Sequence, residues 1–222
     1  MKRYCLYLFI LIGISCSAEL KAQKNGTIYK GNDPAVRYTG RTLVSPDGSV
    51  AFDWVGTYLE TRFTGGKLSV KVSETGTSYY NVFVDGKLHK VVKVCGTDTL
   101  IHLVSGIDKR IHSLKIQKRS EGEFGKTTVH QFVLSGSGRL AEEPAVRTRH
   151  IEFIGNSLTC GYGTDGKHRD EPFLVETENC NLTFASMVAR YYDADYTLIA
   201  HSGRGAARNY GDSVRVSKVT MK

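Results

Sequence analysis

The sequence predicts a two-part chain of β plus α/β class: a jelly-roll β-sandwich over residues 24–140, then the first part of a parallel α/β domain over residues 148–222. Three observations predict it. Short strand-like runs broken by glycine turns fill residues 35–135 with no convincing helix among them. The pattern stops at Ala141-Glu142-Glu143-Pro144, which reads as a linker. Beyond it, an apolar strand, a helical period and a second apolar strand follow with the lengths of a βαβ unit.

Taken in chain order, the first element is an export signal over residues 1–22. Lys2 and Arg3 form its basic start, Leu6 to Ile14 its apolar run, and Ala22 closes a small-residue region, so the mature chain is expected to begin near Gln23. The apolar run is shorter than the roughly 20 residues that span a bilayer, so no transmembrane segment is expected after signal removal. Gly13 stands where a lipidation signal carries an aliphatic residue, which argues against anchoring through Cys16. The expected location is secreted or periplasmic.

Formal net charge is +8, and removing Lys2, Arg3 and Lys21 against Glu19 leaves about +6. The basic residues are scattered, which is a solvated surface rather than a nucleic-acid footprint. Cys95, Cys160 and Cys180 remain after processing, an odd count that allows one disulfide and one free thiol; Cys160–Cys180 is the pair within one domain.

The sandwich strands read as Val36–Leu43, Ser49–Trp54, Thr57–Phe63, Lys67–Ser73, Tyr79–Val84, Lys87–Val94, Thr99–Val104, His112–Arg119 and Thr127–Leu134. Alternation at Leu68, Val70 and Val72 buries one face and wets the other. Asp85-Gly86 is a two-residue hairpin signal, because both positions accept positive φ. Trp54 and the sandwich tyrosines are candidates for a sugar-stacking face, although core and cross-strand packing is the usual use of such residues.

In the second part, Ile151–Ile154 is a short strand, Asn181 to Tyr192 a helix burying Leu182, Ala185, Met187, Val188 and Ala189, and Tyr196–Ala200 a strand parallel to the first. Sites in such sheets form beyond the carboxyl ends of the strands, where Ser157 and Gly203 both fall. A serine in a tight turn after a buried strand is exposed, and amides at the following helix start can stabilise negative charge on oxygen. Serine still needs a base to take its proton. From the residues alone, a nucleophile and a plain helix cap are equally good readings of Ser157.

The nonapeptide Gly155-Asn156-Ser157-Leu158-Thr159-Cys160-Gly161-Tyr162-Gly163 resembles the first sequence block of the SGNH, or GDSL-like, hydrolases. Its ending in Gly-Tyr-Gly, with a jelly-roll domain before it, resembles carbohydrate esterase family 2, whose members are acetylxylan esterases and related sugar deacetylases. Tyr38-Thr39-Gly40-Arg41, Phe63-Thr64-Gly65 and Tyr79 to Gly86 resemble that family's sandwich. The resemblance implies an incomplete flavodoxin-like α/β/α SGNH domain after the sandwich, and a serine esterase that removes O-acetyl groups from xylan or related cell-wall carbohydrate. Ser157 matches the nucleophile and one oxyanion amide, and Gly203, in Ser202-Gly203-Arg204-Gly205, matches a second oxyanion amide. Asn156 replaces the aspartate often found before the serine.

The family's asparagine block and its histidine base have no match, which suggests a chain truncated at its C-terminus and inactive in this form. Gly31-Asn32-Asp33 precedes the sandwich, and Asp165-Gly166-Lys167-His168 lies in the loop just after Ser157, so neither replaces them convincingly. His201 is expected at the mouth of the site, with substrate contact one of its possible roles. Acetylated polysaccharide or oligosaccharide is the expected partner, and no metal or organic cofactor is implied. The rival from another class is a carbohydrate-binding sandwich with a hydrolase fragment that does no chemistry. With its third strand absent, Ile151–Ile154 would expose an unpaired apolar edge.

Overall fold

The alternation of apolar and polar residues up to residue 140 is realised as ten strands in a computed structural model that describes residues 26–142 and 144–221. The expected export signal and Cys16 lie outside the described residues. The strands are β1 (Gly26–Lys30), β2 (Val36–Thr39), β3 (Leu43–Val44), β4 (Val50–Phe52), β5 (Tyr58–Thr64), β6 (Lys67–Val84), β7 (Lys87–Val104), β8 (Ile111–Lys118), β9 (Thr127–Ser135) and β10 (Arg139–Leu140). Hydrogen bonds link them into one continuous ten-stranded sheet that curls over its core, in keeping with the jelly-roll-like domain expected for this part.

The cause is β6. Lys67–Ser73 and Tyr79–Val84 read as two strands but form one of 18 residues, kinked by register shifts between Val72 and Glu74 and between Glu74 and Thr77. Its first half pairs with β9, its second half with β8, and β7 follows it along the other edge. Such irregularities bend a strand without ending it, so the sheet curls over one core. That core contains Phe63, Leu68, Val82, Leu103, Leu114, Phe132 and Leu134, all essentially inaccessible to solvent. The β6–β7 turn is the expected one, with Asp85 at φ 50° and Gly86 at φ 75°. By contrast, Val36–Leu43 breaks after Thr39 because Gly40 takes φ 124°, outside the strand region.

The second part is a βαβ unit: β11 (His150–Gly155) and β12 (Asp195–Ala200) pair in parallel, from His150 with Asp195 to Gly155 with Ala200. Between them lie α1 (Ser157–Cys160) and α2 (Phe184–Tyr191). The expected helix from Asn181 starts three residues later, because Cys180–Leu182 form a 3-10 turn. Its buried side also differs: Ala185, Ser186 and Ala189 are buried, while Leu182, Met187 and Val188 are exposed. Small residues let α2 lie close to β12, while the bulky ones face outwards. Phe184 of α2 meets Phe153 of β11, and Ile154, on the other face of that strand, is 67% exposed. Among the described residues β11 has β12 as its single partner.

The two parts share a second apolar cluster, in which Val55 and Tyr58 of the sheet domain meet Cys160, Cys180, Ala185, Ala189, Tyr196, Leu198 and Ala200. Above it, Asp195 accepts from Arg37, Arg147 and Tyr58, each at 2.7 Å, and Glu60 pairs with both arginines. Burial alone would raise the Asp195 carboxyl, but these hydrogen bonds and charges hold it well below the usual carboxylate range. Among the described residues no helix is long and apolar enough to cross a membrane.

Candidate active site

Two parallel strands ending in register bring their following loops together. Gly155 pairs with Ala200, and the His201 amide extends the ladder to the Gly155 carbonyl at 3.3 Å. Ser157 and Ser202-Gly203 therefore leave the sheet side by side, and all three line a cavity of about 720 Å³. Sequence reasoning placed Ser157 and Gly203 at one edge, and the structure brings them to one cavity.

Ser157 opens α1. Asn156 caps that turn, its Oδ1 accepting from the Leu158 amide at 3.2 Å, a task that asparagine performs as well as the aspartate it replaces. Gly161 ends the turn at φ 86°, and a Cβ there would lie 2.5 Å from the backbone of Asn179. The loop beyond is pinned from the sheet domain. Arg119 donates from Nε to the Glu178 carbonyl at 2.7 Å and from Nη2 to the Glu176 carbonyl and the Asp165 carboxylate, while Asn81 donates to Asn179 Oδ1 at 3.0 Å. Ser157 is half-buried, and among the described residues no group hydrogen-bonds to its hydroxyl.

An aromatic wall completes the cavity. Tyr162 and Phe173 stack with centroids 3.7 Å apart, and Phe124 of the sheet domain leans on Phe173 at 5.6 Å. Arg204, Arg208 and Tyr210 also line it. Sequence reasoning looked for this platform in Trp54 and the sandwich tyrosines. Tyr58 and Tyr80 are instead buried, and Trp54 lines a neighbouring recess of about 250 Å³. Tyr162 stood inside the recognised nonapeptide, but nothing in the sequence announced that Phe173 would fold over it.

His201 lines that neighbouring recess rather than the Ser157 cavity. Its Nδ1 lies 2.8 Å from the Ser202 carbonyl oxygen. His168 is exposed, and Asp165 of the same motif is engaged by Arg119. Asn32 and Asp33 form the turn after β1, where the Asn32 amide donates to the Gly48 carbonyl at 2.9 Å. No histidine lines the Ser157 cavity among the described residues.

Under the cavity floor, Glu121, Glu178 and Cys160 lie buried, with one potential ligand atom from each within 4.8 Å of the others. Burial, then the hydrogen bond and charge of Glu121, push the Glu178 carboxyl up to about 9, and burial also pushes the Cys160 thiol up. Both Glu121 oxygens already accept from Ser202. Cys160 and Cys180 are both free thiols, so the disulfide weighed from sequence is not formed.

A family model described as carbohydrate esterase 2 N-terminal matches residues 38–144. The cellulase/esterase CelE of Acetivibrio thermocellus is 34% identical over 180 residues, which are 81% of this chain and 22% of that protein. An acetylxylan esterase / glucomannan deacetylase of Cellvibrio japonicus is 32% identical over 177 residues, 77% of this chain and 48% of that protein. Among solved structures, a family two carbohydrate esterase from Clostridium thermocellum in complex with cellohexaose matches with a TM-score of 0.77 at 34% identity, covering 81% of this chain and 55% of that one. The chain thus spans about half the length of the Cellvibrio enzyme and a smaller share of CelE.

Proposed function

Because this chain belongs to carbohydrate esterase family 2, we propose that it is part of a secreted serine esterase that removes O-acetyl groups from xylan or related plant cell-wall carbohydrate. The observation that carries the reading is the convergence of Ser157, Gly203 and an aromatic wall on one cavity beyond the ends of two parallel strands. In this reading residues 24–140 are the family's jelly-roll domain, and residues 148–222 are the first part of a flavodoxin-like SGNH domain.

The chemistry is acyl transfer. Ser157 Oγ attacks the acetyl carbonyl while a base takes its proton, and the amides of Ser157 and Gly203 hold the oxyanion. The intermediate collapses, the sugar oxygen leaves with the proton, and water then hydrolyses the acetyl-serine to acetate. In this reading the base is a histidine that the described residues do not bring to the cavity. The stacked Tyr162 and Phe173 offer an apolar face to a sugar ring, while Arg204 and Arg208 offer donors to its hydroxyls.

The test is acetate release from acetylated xylan by this chain, by the chain continued to its natural stop codon, and by Ser157→Ala in the continued form. Activity in the continued form alone, lowered about a thousandfold or more by Ser157→Ala, is the expected result. Full activity in Ser157→Ala would refute the assignment of the nucleophile. Retention on insoluble xylan without any acetate release would favour a carbohydrate-binding module instead.

A further inference from the structure

We propose that Glu121, from the sheet domain, and His201 are positioning residues that hold the Ser202–Gly203 peptide plane, and through it the Gly203 N–H, in one orientation. The inference rests on the esterase reading, in which that N–H is an oxyanion donor.

The Gly203 amide shares a rigid plane with the Ser202 carbonyl, so whatever fixes the carbonyl also aims the N–H. A carbonyl oxygen can only accept, so the His201 Nδ1 at 2.8 Å from Ser202 O carries a hydrogen and donates it. Glu121 grips the same residue from the other side. The Ser202 amide donates to Glu121 Oε2 at 2.6 Å and the Ser202 hydroxyl donates to Oε1. One residue further on, the Gly203 carbonyl accepts from the Tyr210 amide at 2.8 Å. Both peptide groups flanking Gly203 are thus tied, yet its own N–H bonds to nothing among the described residues. A donor whose surroundings are fixed and whose hydrogen is left over is suited to a ligand oxygen.

Glu121 is well placed to act in this way because its side chain is 2% exposed and sits at the start of the 3-10 turn Gly122–Phe124. Its amide is itself held by Glu178 Oε2 at 2.8 Å. Burial, then the hydrogen bond and charge of Glu121, push the Glu178 carboxyl up to about 9, while Glu121 is defined by the two donors of Ser202 that it accepts. The roles therefore differ. Glu121 accepts at both oxygens, which a carboxamide can match only by reversing the bond to the Ser202 hydroxyl and giving up the charge, whereas Glu178 supplies one acceptor oxygen to the Glu121 amide, which a carboxamide keeps.

That asymmetry gives the test: Glu121→Gln, Glu178→Gln, His201→Ala and His201→Asn, followed by the 1H–15N cross-peak of Gly203 and by kcat and KM on an aryl acetate in the form of the protein that turns over. Glu121→Gln and His201→Ala are expected to broaden or split the Gly203 cross-peak and lower kcat about tenfold or more, with KM within about twofold. Glu178→Gln should leave both unchanged at pH 7. His201→Asn, whose amide nitrogen reaches the Nδ1 position, should restore most of what His201→Ala loses. An unmoved cross-peak and kcat in Glu121→Gln, or equal disturbance by Glu178→Gln, would overturn the proposal. If Glu121→Gln does not fold, the two His201 variants decide alone. Should Ser157→Ala keep its activity, the esterase reading fails while the Gly203 cross-peak still reports on the clamp.

Discussion

Asp195 and Asp193 are two residues apart and both touch Arg147, but their side chains are 5% and 91% exposed. Replacing each by asparagine separates burial from mere proximity. In Asp195→Asn the charge is lost and one of the two acceptor oxygens becomes an NH2: with Oδ1 kept towards Tyr58 and Arg147, that NH2 faces the Arg37 guanidinium. Removing one partner of a buried ion pair costs about 3–5 kcal/mol. Glu60 remains beside both arginines, which points to the lower end, and the NH2 left facing the Arg37 donor adds about 1 kcal/mol, for a total near 3–4 kcal/mol. For a protein of this size that is a fall in Tm of roughly 6–16 °C. Asp193→Asn, at the surface and at a positive φ that asparagine tolerates, should cost below about 1 kcal/mol. Because the native Asp195 pKa is depressed, its contribution is complete above the ordinary carboxylate value near 3.9 and is lost as pH falls through the native value. The gap between wild type and Asp195→Asn should therefore be flat from pH 8 to 5 and close below about pH 4. Urea titration with amide exchange of β12 measures both. Equal effects of the two substitutions, within about 0.5 kcal/mol, would refute the claim that this buried cluster joins the two parts.

Two further outcomes follow from other parts of the structure. His112 is raised above its ordinary pKa, mainly by its hydrogen bond to Asp85 and also by Asp108, so its contribution is complete below about pH 6.5 and is lost as pH rises through the native value. His112→Gln should flatten that alkaline decline, and an unchanged slope between pH 6 and 8 would count against the pairing. Gly161→Ala combines a left-handed backbone with a Cβ 2.5 Å from Asn179, so a loss of about 2–4 kcal/mol is expected in thermal unfolding. A loss under about 1 kcal/mol would mean that the Asn179 backbone yields freely.

Local signals were legible wherever one residue pair or one period decided the outcome. Asp85-Gly86 fixed its hairpin, and the apolar runs at Ile151 and Tyr196 fixed the parallel pair, which placed Ser157 and Gly203 together before any coordinates. Signals failed where distant segments decided. The split of β6 into two strands followed Glu74 to Thr77, polar and glycine-containing, and the ladder to β7 on one side and to β8 and β9 on the other carried the strand across them. The buried face of α2 was legible in part: Ala185 and Ala189 are buried as expected, but close approach to β12 favours Ser186 over Leu182, Met187 and Val188. Glu121 gave no signal at all. It is an acidic residue in a loop, and only the fold reveals that Ser202, far along the chain, donates to it.

The serine-bearing unit meets the sheet domain at three points: its loop at Arg119, its strand at Tyr58 and its glycine-bearing turn at Glu121. Arg119 and Glu121 stand two residues apart on one short segment of the sheet domain, so a displacement of that segment would move the serine loop and the glycine turn together.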